Sequence, residues 1–266
     1  MSRHRSASGS RRRVPKAEEI YPPEWLAELA GRGSFAEIGE EVVGYLTELC
    51  DLEPGGRVLD VGCGAGRVAI RLTKFLSPEG RYEGVDILPW AVDWCKKEIT
   101  SRHPNFSFQH ADVLNAQYYP DGLVPPRDYR FPYDSHQFDV VCASSLFTHM
   151  LPDALEQYLS EIGRVLKKGG RALMTFYLLN DESLRSVEAG EVDERFRFRH
   201  PVGSCRVTYE EAPEAAVAHS EEFVLQASER SGLRVVGPIH YGQWSGCDRF
   251  LTWQDVIVAE RVAASI

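Results

Sequence analysis

Apolar residues fall into short runs of strand length separated by stretches of helical spacing, and that alternation sets the architecture. Residues 58–61 are apolar except for Asp60, and further strand-like runs cover residues 81–85, 106–109, 138–143 and 171–176. Between them, residues 67–76 read as a helix, and Pro89 opens an amphipathic helix carrying Trp90, Trp94 and Ile99. Residues 153–168 place Leu155, Leu159, Ile162 and Leu166 on one helical face. Lys167-Lys168-Gly169-Gly170 suits the end of that helix, because cations complement its carbonyl end and glycine suits the C′ position. Strand and helix thus alternate from residue 57 to 177, which predicts a parallel sheet with helices on both faces. Ahead of the sheet, residues 22–30 read as a short helix ended by Gly31, and Ser34 and Glu37 have capping-box spacing. Phe35, Ile38, Val42, Tyr45, Leu46 and Leu49 then form a helical stripe expected to lie in the core. At the other end, residues 233–241 and 253–260 read as two strands joined by residues 242–249.

Composition narrows the picture to one enzyme-sized domain. A chain of 266 residues with 43% hydrophobic content can bury a full core, and a single α/β domain over residues 17–266 accounts for the pattern. No apolar run approaches the ~18 residues of a membrane span, and no apolar segment follows the start as in a secretory leader. A soluble, cytoplasmic protein is expected. The six cysteines are scattered without a C-x-x-C pair, which fits buried thiols in a reducing compartment. Charge separates a tail from the domain: residues 1–16 carry +6 and no acid, so the formal net charge of −9 leaves −15 for the remainder. With Val14 its only branched apolar residue, the tail is expected to be disordered, and it lacks the apolar face of a transit peptide. The acidic domain argues against a nucleic-acid substrate, since phosphate contacts dominate such affinity, and small molecules are favoured.

The sharpest chemical signal follows the first strand, where Asp60-Val61 runs into Gly62-Cys63-Gly64-Ala65-Gly66. Alternate glycines let a backbone take positive φ and pass close to a ligand, so this reads as a cofactor loop opening the next helix. A dinucleotide fingerprint wants a third glycine for close helix–strand packing, and Arg67 stands there instead. Asp86 ends the second strand twenty residues past Gly66, the spacing at which an acid meets a ribose hydroxyl pair. The D-x-G-x-G-x-G form and the order of features behind it resemble the class I S-adenosylmethionine-dependent methyltransferases over roughly residues 34–260. The resemblance implies a doubly wound, mostly parallel seven-stranded sheet in the order 3-2-1-4-5-7-6, with a terminal antiparallel pair. It implies S-adenosylmethionine as cofactor, held by Asp60, Gly62, Cys63, Gly64, Gly66, Asp86, Ile87, Asp112, Val113, Ser144 and Ser145, with Asp112 on the adenine amino group. The leading helices are expected to fold over the cofactor as a lid, which brings Arg32 and Phe35 toward its methionine end. Cys63 is expected only to pack.

Two stretches exceed what the bare fold needs. They are insertions at about 115–137, rich in tyrosine, and 177–219, and both follow the ends of strands where α/β sheets bind ligands. In the second, Arg195, Arg197 and Arg199 alternate with Phe196 and Phe198, either as a solvated strand face over packed rings or as an anion clamp. His240, Tyr241 and Trp244 are read as core, with the cavity as the other option. His149 stands just past the fourth strand, where the resemblance exposes side chains toward the methyl donor, and two roles stay open for it. It acts as general base, or it shapes the pocket, as histidines near this place do in some relatives. No acid ends the fourth strand as in metal-dependent catechol methyltransferases, so no metal is expected. The Asn/Asp-Pro-Pro-Tyr/Phe tetrapeptide of enzymes that methylate planar amino groups is absent, so O-methylation of a sugar, glycan or secondary metabolite leads. N-methylation of a small molecule is the alternative, and from other classes an NAD-binding oxidoreductase or a non-catalytic S-adenosylmethionine-binding protein.

Overall fold

The computed structural model describes residues 20–28 and 33–262. The basic tail, Gly31 and Arg32 lie outside the described residues. Seven strands make the main sheet: β1 (Arg57–Val61), β2 (Arg81–Asp86), β3 (Phe106–His110), β4 (Phe138–Ala143), β5 (Leu166–Phe176), β10 (Leu233–Val235) and β11 (Asp255–Arg261). The remaining four, β6 (Leu178–Leu179), β7 (His200–Val202), β8 (Cys205–Val207) and β9 (Val217–Ser220), form a separate small sheet. The main sheet runs β10-β11-β5-β4-β1-β2-β3, parallel except that β11 lies antiparallel to both β5 and β10. This is the expected 3-2-1-4-5-7-6 order, with the two terminal strands renumbered by the small sheet.

Successive strand residues point to opposite faces, and both faces are covered, which is why these strands read as continuous apolar runs. On one face Val58, Tyr82, Cys142, Leu173 and Val256 pack under α2 (Phe35–Glu48), α3 (Arg67–Leu72) and α4 (Pro89–Cys95). On the other, Leu59, Val141 and Met174 pack under α5 (Pro152–Val165) and α7 (Glu221–Arg230). Ser34 caps α2 by accepting the Glu37 N–H at 3.3 Å, and Ser220 caps α7. A short α1 (Glu24–Glu28) precedes them and buries Leu26.

Several boundaries differ from the sequence reading. α5 stops at Val165, and Leu166 is already extended (φ −65°, ψ 140°). Leu166 pairs Phe138 of β4 and pairing resumes at Arg171 opposite Val140, so Gly169, at φ 76°, lies in the register shift between them rather than at a helix end. The strand expected over 233–241 breaks at Gly237, at φ 71°, and only His240 pairs again, with Val256. Residues 195–199 are not a strand. Asp193 accepts the Arg195 N–H at 3.0 Å and starts a 3-10 turn over Glu194–Phe196, a local bond that competes with ladder pairing. The rest of the second insertion folds as α6 (Asp181–Ala189) and the small sheet, with Phe198 and Trp244 in a cluster of their own. The first insertion is pinned by Arg164, whose guanidinium donates to the Tyr133 and Phe131 carbonyls at 2.8 and 3.0 Å. No described helix is long and apolar enough to cross a membrane.

Candidate active site

A cavity of about 800 Å³ opens at the carboxyl ends of β1, β2, β4 and β5, roofed by α2, the two insertions and residues 250–254. Its size is typical of a small-molecule site. The loop after β1 forms one wall, and its glycines divide their work. Gly64 sits at φ 50°, and a Cβ built there would meet nothing within 4 Å, so its backbone faces open cavity. Gly66, at φ 74°, faces inward: a Cβ would stand 2.7 Å from Ile99 Cδ1 and 3.1 Å from Cys95 Sγ. Gly66 accordingly does not line the cavity, whereas Gly62, Cys63 and Gly64 do. Burial pushes the Cys63 thiol well up, which leaves it a packing side chain.

Two carboxylates stand under the loop. Asp86 accepts the Gly64 N–H at 2.7 Å and the Leu88 N–H at 2.9 Å, and burial raises its carboxyl above the usual range. Asp60 is pushed to about 6 by burial, against the Tyr82 hydroxyl, which donates to it at 2.6 Å. Arg67, the residue that disfavoured a dinucleotide site, also lines the cavity and carries the charge opposite Asp60. Ile87 and Val113 supply apolar wall. Asp112 does not line the cavity; its carboxylate accepts the Leu123 N–H at 3.2 Å. Ser144 and Ser145 do line it. Ser145 is held at φ 56°, a strained value for a residue with a Cβ, by its N–H on Thr175 Oγ1 (2.7 Å) and its hydroxyl on Gln254 Oε1 (3.1 Å). Of the leading helices, α2 contributes Ile38, Glu41, Val42 and Tyr45 to the cavity, while Phe35 is buried elsewhere, against Tyr21. The Tyr45 hydroxyl donates to the Leu251 carbonyl at 2.9 Å and so ties α2 to residues 250–254.

A second group of lining residues gathers about His149, which sits on the 3-10 turn Phe147–His149 after β4. His149 Nδ1 is 3.0 Å from the Glu214 carbonyl and 3.3 Å from the Tyr118 hydroxyl. A carbonyl only accepts, so Nδ1 carries the proton and the neutral ring keeps its lone pair on Nε2. Burial lowers the His149 pKa below its ordinary value, so the ring is neutral at neutral pH. The buried His219, lowered to about 4, sits beneath the turn with Nε2 3.2 Å from the Phe147 carbonyl. Glu214 also braces the two insertions, because its carboxylate accepts the Ala116 N–H at 2.7 Å. Glu214, His219 and Gln254 carried no motif; Glu214 works partly through its backbone carbonyl, for which no side-chain signal exists. Arg195 lines the cavity but is engaged by Asp193 through Nε (3.0 Å) and Nη2 (2.7 Å). Trp244 is core, its indole N–H donating to the buried Asp255 at 2.7 Å, and neither His240 nor Tyr241 lines the cavity. All six cysteines are free, and among the described residues no cluster of three or more His, Cys, Asp and Glu could hold a metal ion.

Comparison with known proteins adds independent findings. The profile of a family described as a methyltransferase domain matches residues 52–213. Methyltransferase GfsG of Streptomyces halstedii is 30% identical over 139 residues, 52% of this chain and 43% of that protein. The phthiotriol/phenolphthiotriol dimycocerosates methyltransferase of Mycobacterium leprae is 33% identical over 121 residues, 44% of this chain and 36% of that protein. The match thus spans less than half the length of either relative. Among solved structures, a TehB-like SAM-dependent methyltransferase from Corynebacterium glutamicum aligns with a TM-score of 0.52 at 18% identity, covering 89% of this chain and 94% of that one. That likeness shows the fold.

Proposed function

This chain belongs to the class I S-adenosylmethionine-dependent methyltransferases, and from that membership we propose that it methylates a hydroxyl of a small molecule beside His149. The residues present fit the cofactor. Gly64 offers bare backbone to open space, Asp86 keeps lone pairs beyond the two backbone bonds it accepts, and Ile87 and Val113 give apolar wall for a base. When bound, S-adenosylmethionine supplies a methyl group on a positively charged sulfur, an electrophile that needs little further activation. The protein's part is to position the acceptor, exclude water and take the acceptor's proton.

One observation carries the choice of a hydroxyl: His149 lines the cavity and, by giving its Nδ1 proton to the Glu214 carbonyl, keeps Nε2 unprotonated. A neutral alcohol needs such a base, whereas an amine can arrive deprotonated. Incubation with methyl-labelled S-adenosylmethionine and a small-molecule extract tests this. The labelled product is expected to release labelled methyl iodide with hot hydriodic acid, as methyl ethers do; label retained on carbon or nitrogen would refute it.

Two variants test the binding roles. Asp86→Ala is expected to weaken S-adenosylmethionine binding by on the order of 1.5–3 kcal/mol, the loss of hydrogen bonds to a charged group, with little change in rate at saturation. Unchanged affinity with a collapsed rate would make Asp86 catalytic instead. Glu214→Ala removes the brace between the insertions while keeping the carbonyl that orients His149. It is expected to raise the acceptor KM roughly tenfold with cofactor affinity unchanged, as befits the loss of one charged hydrogen bond. A normal KM would show that the brace does not shape the acceptor site.

A further inference from the structure

The apolar surface that the fold leaves exposed is concentrated at one place. Eleven large apolar side chains are exposed among the described residues, and five of them, Leu114, Tyr118, Phe250, Leu251 and Trp253, rim this one cavity. Phe250 is 45% and Trp253 42% exposed, an arrangement that costs solubility and is retained where something apolar binds. The rim is continuous with the interior. Trp253 stands edge-on to Phe196 (5.4 Å between centroids), Phe196 lies against Tyr177 (5.3 Å), and Tyr118 stands edge-on to His149 (5.1 Å). Aromatic rings thus lead inward from the mouth through Phe196 to Tyr177, and a further ring, Tyr118, stands against His149.

The charges at this end are already partnered. Arg195 is held by both oxygens of Asp193, and the Glu214 carboxylate accepts the Ala116 N–H. Asp193 already offsets the charge of Arg195, which weakens its pull on an anionic acceptor, and the Glu214 carboxylate is committed to the brace between the insertions.

Building on the methyltransferase reading above, we propose that the acceptor is an uncharged molecule with its hydroxyl on a flat or apolar body, part of which stays at the mouth against Phe250 and Trp253. Tyr118, Phe250 and Trp253 then set specificity, and chain length on the acceptor's far side is read by the rim.

Calorimetry on the full chain saturated with S-adenosylhomocysteine tests this with the methyl, ethyl, propyl and butyl esters of 4-hydroxybenzoate, against the free acid at pH 7. Affinity is expected to rise about threefold per added methylene, as for partly buried apolar surface, and the charged free acid to bind at least tenfold more weakly than the methyl ester. Trp253→Ser is expected to flatten the length dependence while S-adenosylhomocysteine still binds; Phe250→Ser serves the same purpose should Trp253→Ser not fold. A flat wild-type series, a length dependence that survives both substitutions, or a free acid that binds as tightly as its ester would each overturn the proposal, the last by restoring Arg195 as an anion clamp. Failure of the wild type to bind S-adenosylhomocysteine would sink the methyltransferase reading itself, and this inference with it, whereas normal cofactor binding with a flat series sinks this inference alone.

Discussion

Gly64→Val is expected to abolish cofactor binding, a loss of at least a hundredfold, in a protein that still folds. The two halves of that result have separate causes. Valine at φ 50° is strained by on the order of 1–3 kcal/mol, but its Cβ meets no atom within 4 Å, so no packing is lost. At roughly 2–4 °C of Tm per kcal/mol for a domain of this size, the melting point should fall by less than about 12 °C. The branched side chain nevertheless fills the space where bare backbone faces the cavity, beside the N–H that binds Asp86. Gly66→Val is the control with the opposite signature, because its side chain would collide with Ile99 and Cys95 and unsettle the packing of α3 on α4. Calorimetry with S-adenosylhomocysteine and a melting curve decide the matter. Normal affinity in folded Gly64→Val would show that the loop does not hold the cofactor.

His149→Gln is expected to lower the maximal rate by roughly 10²–10⁴-fold while cofactor affinity is kept. Glutamine can still donate to the Glu214 carbonyl, so the turn keeps its anchor and only the base is removed. The pH profile carries the sharper signature. A base works unprotonated, and burial lowers the His149 pKa, so the wild-type rate should climb with pH along a limb lying below the ordinary histidine range and be flat at neutrality. An unperturbed histidine ionises near neutrality; burial moves this one to lower pH. The variant should lack that limb. A loss of only a few-fold, a raised acceptor KM and an unchanged profile would instead make His149 part of the pocket wall and favour an amine acceptor.

The parallel core was legible because β1, β4 and the second half of β5 are buried on both faces and announce themselves as apolar runs, while β2 was marked by Asp86 at its end and its spacing from Gly66. The small sheet was not, because β6 to β9 are two to four residues long, too short to show a period, and β6 pairs with the distant β9. Alternation alone suggested a strand over 195–199, and a single side-chain bond from Asp193 overrode it. In the site, the glycines and Asp86 could be read from spacing, yet spacing could not tell Gly64, which faces the cavity, from Gly66, which faces Ile99. Asp112 came from resemblance, and its carboxylate bonds Leu123 outside the cavity lining. The lid was foreseen at Phe35, whereas Ile38, Val42 and Tyr45, residues of the same apolar stripe read as core, meet the cavity instead. A helix that covers a cavity and a helix that covers a core carry the same pattern.

The most direct test of the central claim is ultraviolet cross-linking of methyl-labelled S-adenosylmethionine to the full chain, followed by mapping of the labelled peptides. The account predicts label on peptides holding residues 60–67, 85–88 or 111–118, suppressed by excess S-adenosylhomocysteine and lost in Gly64→Val. Label confined to segments that do not line the cavity, or label that survives the competitor, would contradict it.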